Sequence, residues 1–263
     1  MKQDKKMYKF YSKEEIEILR EGGKKLSWIL KELGKFLYVG LEVSEIENKS
    51  LELIKEVGAF PATVGYSPSG ASYPFPSSVC TSVNNGIAHG ISKNNKYKIK
   101  DGDVVSLDIV IKYKNLFVDI CRTFGVGNVS KKDRVLIDTA REVTDKVIEL
   151  SMIDNNTEDL GKMAELTAKE FGLDTVKELG GHGVGRKIHD KPFIPNAPNL
   201  GVAVVKLEEG MVLAVEPIVT SGDWRMKIDD DDYLYLTKDG SRTAQFEETI
   251  LITKDGPEIL TKD

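Results

Sequence analysis

Apolar positions along the chain recur first at helical and then at strand spacing, and the two periods alternate twice. Ile16, Leu19, Leu26, Ile29, Leu30 and Leu33 repeat at near-helical intervals behind the capping-box pair Ser12 and Glu15, which predicts a long amphipathic helix. A second such pair, Ser44 with Glu47, predicts a shorter helix through Leu51 and Ile54. Gly58 stands where a left-handed C-cap is expected, and Pro61 confirms the stop. The run GYSPSGASYPFP over residues 65–76 mixes prolines, glycines and aromatics without a period and reads as a pocket-lining loop. Strands rich in β-branched residues are predicted at 79–83, 104–112 and 116–122. Helices follow at 133–150 and 158–171, the second ended by Gly172, and strands return at 212–219, 233–237 and 245–253.

No Ser/Pro/Gly linker long enough to separate domains interrupts this order, so we expect one domain over residues 1–263, of the α/β (α+β) class. The segments KDGDVVSLDIVI and LEEGMVLAVEPIV share a turn, a strand and an acid inside the strand, a faint sign of internal duplication.

Composition narrows the class of function. With 40% hydrophobic and 30% charged residues, the chain has the profile of a soluble globular protein with no membrane association. Its net charge of -5 argues against nucleic acid as a substrate, because phosphate backbones are bound by clustered Lys and Arg. The opening MKQDKKMYKF is basic but runs into the polar SKEEIE, unlike a signal peptide, so a cytoplasmic location is expected. Cys80 and Cys121 are too few for a disulfide framework and read as small core thiols.

The chemistry starts from misplaced charge. Asp108 sits in the middle of the apolar strand VVSLDIVI. A two-residue turn at Tyr113 and Lys114 would pair Lys112 with Asn115 and set Asp108 directly opposite Asp119, with Cβ atoms about 5 Å apart. Two carboxylates that close must share a proton or hold a cation. Taken singly, such an aspartate is better explained by an open, solvated strand face. Glu216 and Glu247, however, repeat the anomaly inside MVLAVEPIV and AQFEETILIT. Glu248 should point to the opposite face by strand alternation, where it is expected to be solvated or to support the site from behind. The three histidines, His89, His182 and His189, all lie in glycine-flanked segments, and glycine on both sides of His182 would let a metal or substrate approach closely. No helix start follows GGHGVG, so it is not read as a phosphate-binding loop.

In that order, Asp108, Asp119, His182, Glu216 and Glu247 resemble the five metal ligands of the methionine aminopeptidases. The words VCTSVNNGIAHG, KDGDVVSLD, GHGVGRKIH, VEPI and AQFEET resemble that family's motifs, and SKEEIEILREGGK its first helix. The resemblance implies the pita-bread fold, two pseudo-symmetric halves around a curved, mainly antiparallel sheet. It also implies two divalent metal ions, whether cobalt, manganese, iron or zinc. Asp108 would hold one ion, Asp119 and Glu247 both, and His182 and Glu216 the other. A water acidified between the ions would attack the first peptide bond, with Glu216 as general base. His89 and His189 match the family's two non-ligand histidines, which hydrogen-bond substrate and steady the tetrahedral intermediate or leaving amine. The implied partners are the N-terminal methionine of nascent polypeptides and, with them, the ribosome; a monomer is expected. The interval from His189 to Glu216 is too short for the helical insertion of type II enzymes, so the resemblance is to type I.

Departures from the family pattern fall at three positions. Glu248 stands where His is usual, Tyr233 where Trp is common and Ile188 where Phe is frequent. With Phe75 and Tyr73, the last two would line the methionine pocket, where such exchanges tune selectivity by about 1–3 kcal/mol. An Xaa-Pro dipeptidase would share the five ligands but normally carries a separate N-terminal domain. A non-catalytic binding module on the same fold would have lost ligands, and all five are present here.

Overall fold

The computed structural model of the protein describes residues 11–68 and 71–262. The basic opening segment weighed above as a signal peptide, and Ser69 and Gly70 of the proline-rich loop, lie outside the described residues. In chain order the elements are α1 (Lys13–Phe36), α2 (Val43–Glu56), β1 (Phe60–Pro61), β2 (Cys80–Val83), β3 (Gly86–Ala88), β4 (Val104–Tyr113) and β5 (Leu116–Gly125). Then come α3 (Lys131–Leu150), α4 (Thr157–Glu170), β6 (Asp174–Thr175), β7 (Gly180–Gly183) and β8 (Asp190–Pro195). The last third holds β9 (Val212–Val215), β10 (Ile218–Thr220), β11 (Met226–Ile228), β12 (Tyr235–Thr237), β13 (Thr243–Gln245), β14 (Glu247–Thr253) and β15 (Gly256–Ile259).

The first helix forms as its sequence dictates: Ser12 Oγ accepts from the Glu15 amide, and Glu15 Oε2 accepts from the Ser12 amide. The second begins earlier than its Ser44–Glu47 pattern predicts. Its N-cap is Glu42, whose amide donates to Glu45 Oε1, while the Ser44 hydroxyl lies inside the first turn and donates to Glu42 Oε1. Glu47 is thereby free for another task, and both of its buried carboxylate oxygens accept from the Ser78 amide. Gly58 has a left-handed φ of +72°, as its C-cap position requires.

The large sheet runs β1-β4-β5-β14-β9-β7-β8, antiparallel throughout, with β2 added along β4 and β15 along β14. Its centre is the contact of β5 with β14, flanked by β4 and β9, so the two halves mirror one another. Gly102 (φ +84°) and Gly210 (φ +86°) turn the chain into β4 and β9, each the same distance ahead of its acid, Asp108 or Glu216. The faint duplication in the sequence is thus a duplication in space. Helices α1 and α2 bury Leu19, Leu26, Ile29, Val43 and Ile46 against Val105, Leu107, Ile109 and Ile120 of β4 and β5. Helices α3 and α4 do the same with Leu136, Val143 and Leu160 against Leu213, Ile250 and Ile252 of β9 and β14. Because β-strand side chains alternate, residues between those core positions face away from the helices. This is the pita-bread arrangement, and no helix among the described residues is long and apolar enough to cross a membrane.

The β4–β5 hairpin closes one residue later than expected. Tyr113 pairs with Leu116 across the turn residues Lys114 and Asn115, both at positive φ. Asp108 is therefore opposite Cys121, and Asp119 opposite Val110, so the two aspartates are diagonal neighbours on one face rather than a direct pair. The expected strand over 212–219 is interrupted after Val215, because Pro217 has no amide to give to a ladder, and it resumes as β10 in a small sheet with β13 and β6. The strand expected over 245–253 likewise splits at Phe246 into β13 and β14, which serve different sheets.

Candidate metal centre

Asp108 on β4, Asp119 on β5, His182 on β7, Glu216 just beyond β9 and Glu247 at the start of β14 line one cavity of about 350 Å³. Register explains the convergence. Glu247 pairs with Cys121, which pairs with Asp108, so three neighbouring strands present acids to the same face. His182 pairs with Ala214, two residues before Glu216. Its Nε2 lies 3.3 Å from Glu216 Oε1 and 3.9 Å from Asp119 Oδ2. Its Nδ1 lies 2.9 Å from the Gly183 carbonyl oxygen. A carbonyl only accepts, so Nδ1 carries the proton and Nε2 turns its lone pair toward the acids.

One ligand atom each from Asp119, His182 and Glu247 lies within 4.8 Å of the others. Asp119 Oδ1 and Glu247 Oε1 are buried without any hydrogen-bond partner. Burial, and behind it repulsion from Asp108 and Glu216, pushes the Asp119 carboxyl well above its usual range. Burial and the charges of Asp119, Glu216 and Asp108 do the same to Glu247. Burial and Glu216 raise Asp108 to about 7. Burial opposes a charged His182, but its hydrogen bond to Glu216 and the surrounding acids outweigh that cost and raise its pKa. Crowded carboxylates with orphaned oxygens and an inward imidazole lone pair make a donor set that fits divalent cations.

The two other histidines flank this floor. The His189 ring stands edge-on to His182, with centroids 4.5 Å apart, and its Nδ1 is 2.9 Å from the Tyr66 hydroxyl. Burial, then the charges of His182 and His89, lower His189 to about 3, so it is neutral at ordinary pH. His89 packs against Tyr235 with centroids 5.4 Å apart, and burial lowers its pKa too. Phe75, Cys80 and Tyr233 pack together with Ala71 against them, and with Ile188 they give the cavity apolar lining.

Four expectations change here. Tyr73 does not line the cavity: it stands edge-on behind Tyr233, donates to the Asp231 carbonyl, and accepts at its own carbonyl from the Tyr233 hydroxyl. The glycines beside His182 serve backbone packing rather than ligand approach, since a Cβ at Gly181 would meet the Ala214 carbonyl oxygen at 2.4 Å and one at Gly183 that of Lys191 at 2.2 Å. Glu248 does face the opposite side of the sheet, but it is 6% exposed and ion-paired with Arg122 rather than solvated. Cys80 is a cavity wall and not only a core residue. The sequence reading missed Tyr66, Tyr235 and Gln245, whose Nε2 donates to Glu216 Oε2 at 3.0 Å. Only the aromatic content of the loop over residues 65–76 hinted at Tyr66.

Comparison with known proteins places this geometry. Residues 17–254 match the model of metallopeptidase family M24. A methionine aminopeptidase of Clostridium perfringens is 38% identical over 94% of this chain and 96% of its own. The crystal structure of a methionine aminopeptidase from Thermotoga maritima superposes with a TM-score of 0.91 at 35% identity, over 98% of this chain and 100% of that one. A prolidase of Pyrococcus horikoshii shares the fold, with a TM-score of 0.73 at 23% identity, and this chain covers 63% of it. The chain therefore belongs to metallopeptidase family M24, within its methionine aminopeptidase branch.

Proposed function

We propose that this protein removes the N-terminal methionine from peptides and newly made polypeptides. In this reading residues 1–263 act as one catalytic unit, of type I, monomeric and cytoplasmic, meeting nascent chains as they leave the ribosome. The observation that carries the reading is a floor of unpartnered carboxylate oxygens, Asp119 Oδ1 and Glu247 Oε1, in a cavity with an apolar slot.

Asp108, Asp119, His182, Glu216 and Glu247 would together hold two divalent ions, as the resemblance implies. Such ions, when bound, would polarise the scissile carbonyl and acidify water. The chain's own residues do the rest. Phe75, Ile188 and Tyr233 take the methionine side chain out of water, which favours an unbranched apolar group. Glu216, steadied by Gln245, accepts a proton from the attacking water. His189, neutral and held by Tyr66, and His89, beside Tyr235, hydrogen-bond the substrate carbonyl and the leaving amine. Manganese, iron, cobalt and zinc all accept carboxylate and imidazole ligands, so availability decides which is used.

The test is to load metal-free protein with each ion in turn and offer Met-Ala-Ser, Leu-Ala-Ser and Ala-Pro. Free methionine from the first peptide alone, dependent on metal, is the expected result. Release of alanine from Ala-Pro alone would replace this reading with an Xaa-Pro peptidase. That rival is the weaker reading, since the prolidase likeness is at 23% identity and supports the fold only.

A further inference from the structure

Behind the acidic floor, on the helix side of the sheet, lies a polar assembly that the mechanism does not use. Arg122 and Glu248 are nearly buried, with side chains 15% and 7% exposed, and they form an ion pair through Nη2 and Oε1. Arg122 does more than neutralise Glu248. Its Nη1 donates to two backbone carbonyls, that of Cys121 at 2.9 Å and that of Glu247 at 2.6 Å. The second carboxylate oxygen of Glu248 accepts from the Thr261 hydroxyl, and Thr261 Oγ1 accepts from the Thr249 amide at 3.0 Å. The Thr249 hydroxyl in turn accepts from the Asp119 amide at 2.9 Å and donates to the Asp119 carbonyl at 2.8 Å.

The chain of bonds therefore starts at the backbone of Asp119 and ends at the backbone of Glu247. These are the two residues whose side chains carry the unpartnered oxygens of the metal centre. The regular ladder between their strands is short: β5 and β14 pair only at Glu247 with Cys121 and at Glu248 with Ile120. Just before Glu247 the strand breaks at Phe246, and β13 belongs to another sheet, tied to β5 here by the Thr123 hydroxyl. So two like-charged carboxylates must be held side by side where the ladder between their strands spans only two residue pairs. Forked guanidinium donors suit this task, since they fix two acceptors at once in a rigid plane, which an ammonium does not.

We infer that Arg122, with Glu248 and Thr261, is a positioning brace that sets the separation of the Asp119 and Glu247 carboxylates and thereby the affinity of the centre for its shared cations. The inference rests on the metal assignment proposed above.

Two variants test it. Arg122→Lys keeps a charge beside Glu248 and removes the fork to the two carbonyls. Arg122→Met combined with Glu248→Leu removes the pair altogether, a replacement that buried ion pairs commonly tolerate without loss of stability. Metal-free protein is titrated with manganese in a calorimeter, its thermal midpoint is recorded, and kcat and KM are measured on Met-Ala-Ser. The expected result is manganese affinity weakened about 10- to 100-fold in both variants, the range seen when partners behind metal ligands are removed. With it, kcat should fall and KM hold, while the thermal midpoint of the metal-free double variant stays near that of the parent. A folded variant that binds manganese with the parent's affinity overturns the brace. A parent that binds no manganese, iron, cobalt or zinc overturns the metal assignment itself, a different failure.

Discussion

Glu247 and Glu248 are adjacent in one strand, 2% and 6% exposed, and their surroundings are opposites. Alternation sends Glu248 to the helix side, where Arg122 neutralises it and Thr261 donates to it. It sends Glu247 to the cavity side, where the nearest charges are Asp119, Glu216 and Asp108 and one oxygen has no partner. The same side chain, buried to the same depth, is thus satisfied from within the chain on one face and left among like charges on the other. Buried charge without a counter-charge is destabilising unless something external supplies it, and that asymmetry is what a structural acid beside a metal ligand would show.

The two faces should respond differently to substitution. Glu247→Ala is expected to abolish metal retention and to lower kcat by more than the roughly 10- to 100-fold typical of an outer partner. Metal content after gel filtration, with turnover of Met-Ala-Ser, would show it; a Glu247→Ala enzyme that keeps its metal and most of its rate would remove the contrast. On the other face, Arg122→Ala takes the ion-pair partner from buried Glu248, leaving it the Thr261 hydroxyl and the charge of Arg141, and should cost about 3 kcal/mol of stability, measured by urea unfolding of metal-free protein.

A pH effect of intermediate size sharpens the comparison. Asp108 is raised to about 7, Asp119 and Glu247 are raised well above their ordinary range, and His182 is raised as well. Folded metal-free protein therefore holds more protons than unfolded chain at neutral pH, and the stability tied to those protons is lost as pH rises through the folded pKa values. His89 and His189, whose pKa values are lowered, act in the opposite sense, but only below the ordinary histidine range. From pH 6.5 to 8 metal-free protein should lose on the order of 1 kcal/mol per pH unit for each such proton. Added manganese should reverse the trend, because metal displaces protons and binds tighter as pH rises. A metal-free melting temperature that climbs over this interval would contradict the assignment.

How much of this was legible in the sequence follows the same division. Acids inside apolar strands mark the cavity face directly, because a charge among Val and Ile violates the pattern around it. Asp108, Asp119, Glu216 and Glu247 announce themselves in this way. The hairpin register was misjudged by placing the turn at Tyr113–Lys114, although Asn115 tolerates the left-handed conformation it adopts and marks the true turn. The strands that carry and flank His182 went unseen, since GGHG and DKPFIP have neither alternation nor a run of β-branched residues. The brace was invisible for another reason. Alternation sets Glu248 behind the site, but Arg122 reads as an ordinary strand charge, and nothing local says that residues so far apart in sequence meet.

The smallest expected effect lies in the slot. Ile188→Phe and Tyr233→Trp should change discrimination between Met-Ala-Ser and Leu-Ala-Ser by about 1–3 kcal/mol while leaving manganese affinity alone, since neither side chain is among the five proposed ligands. Relative kcat/KM for the two peptides is the readout; a shift in metal affinity instead would mean that slot and floor are not separate.

The most direct measurement is an anomalous-difference map at the manganese edge from crystals grown with manganese. Two peaks should stand on the cavity side of the sheet, bounded by Asp108, Asp119, His182, Glu216 and Glu247, with no density beside Glu248. Peaks elsewhere on the molecule, or none in that cavity at saturating manganese, would contradict the account.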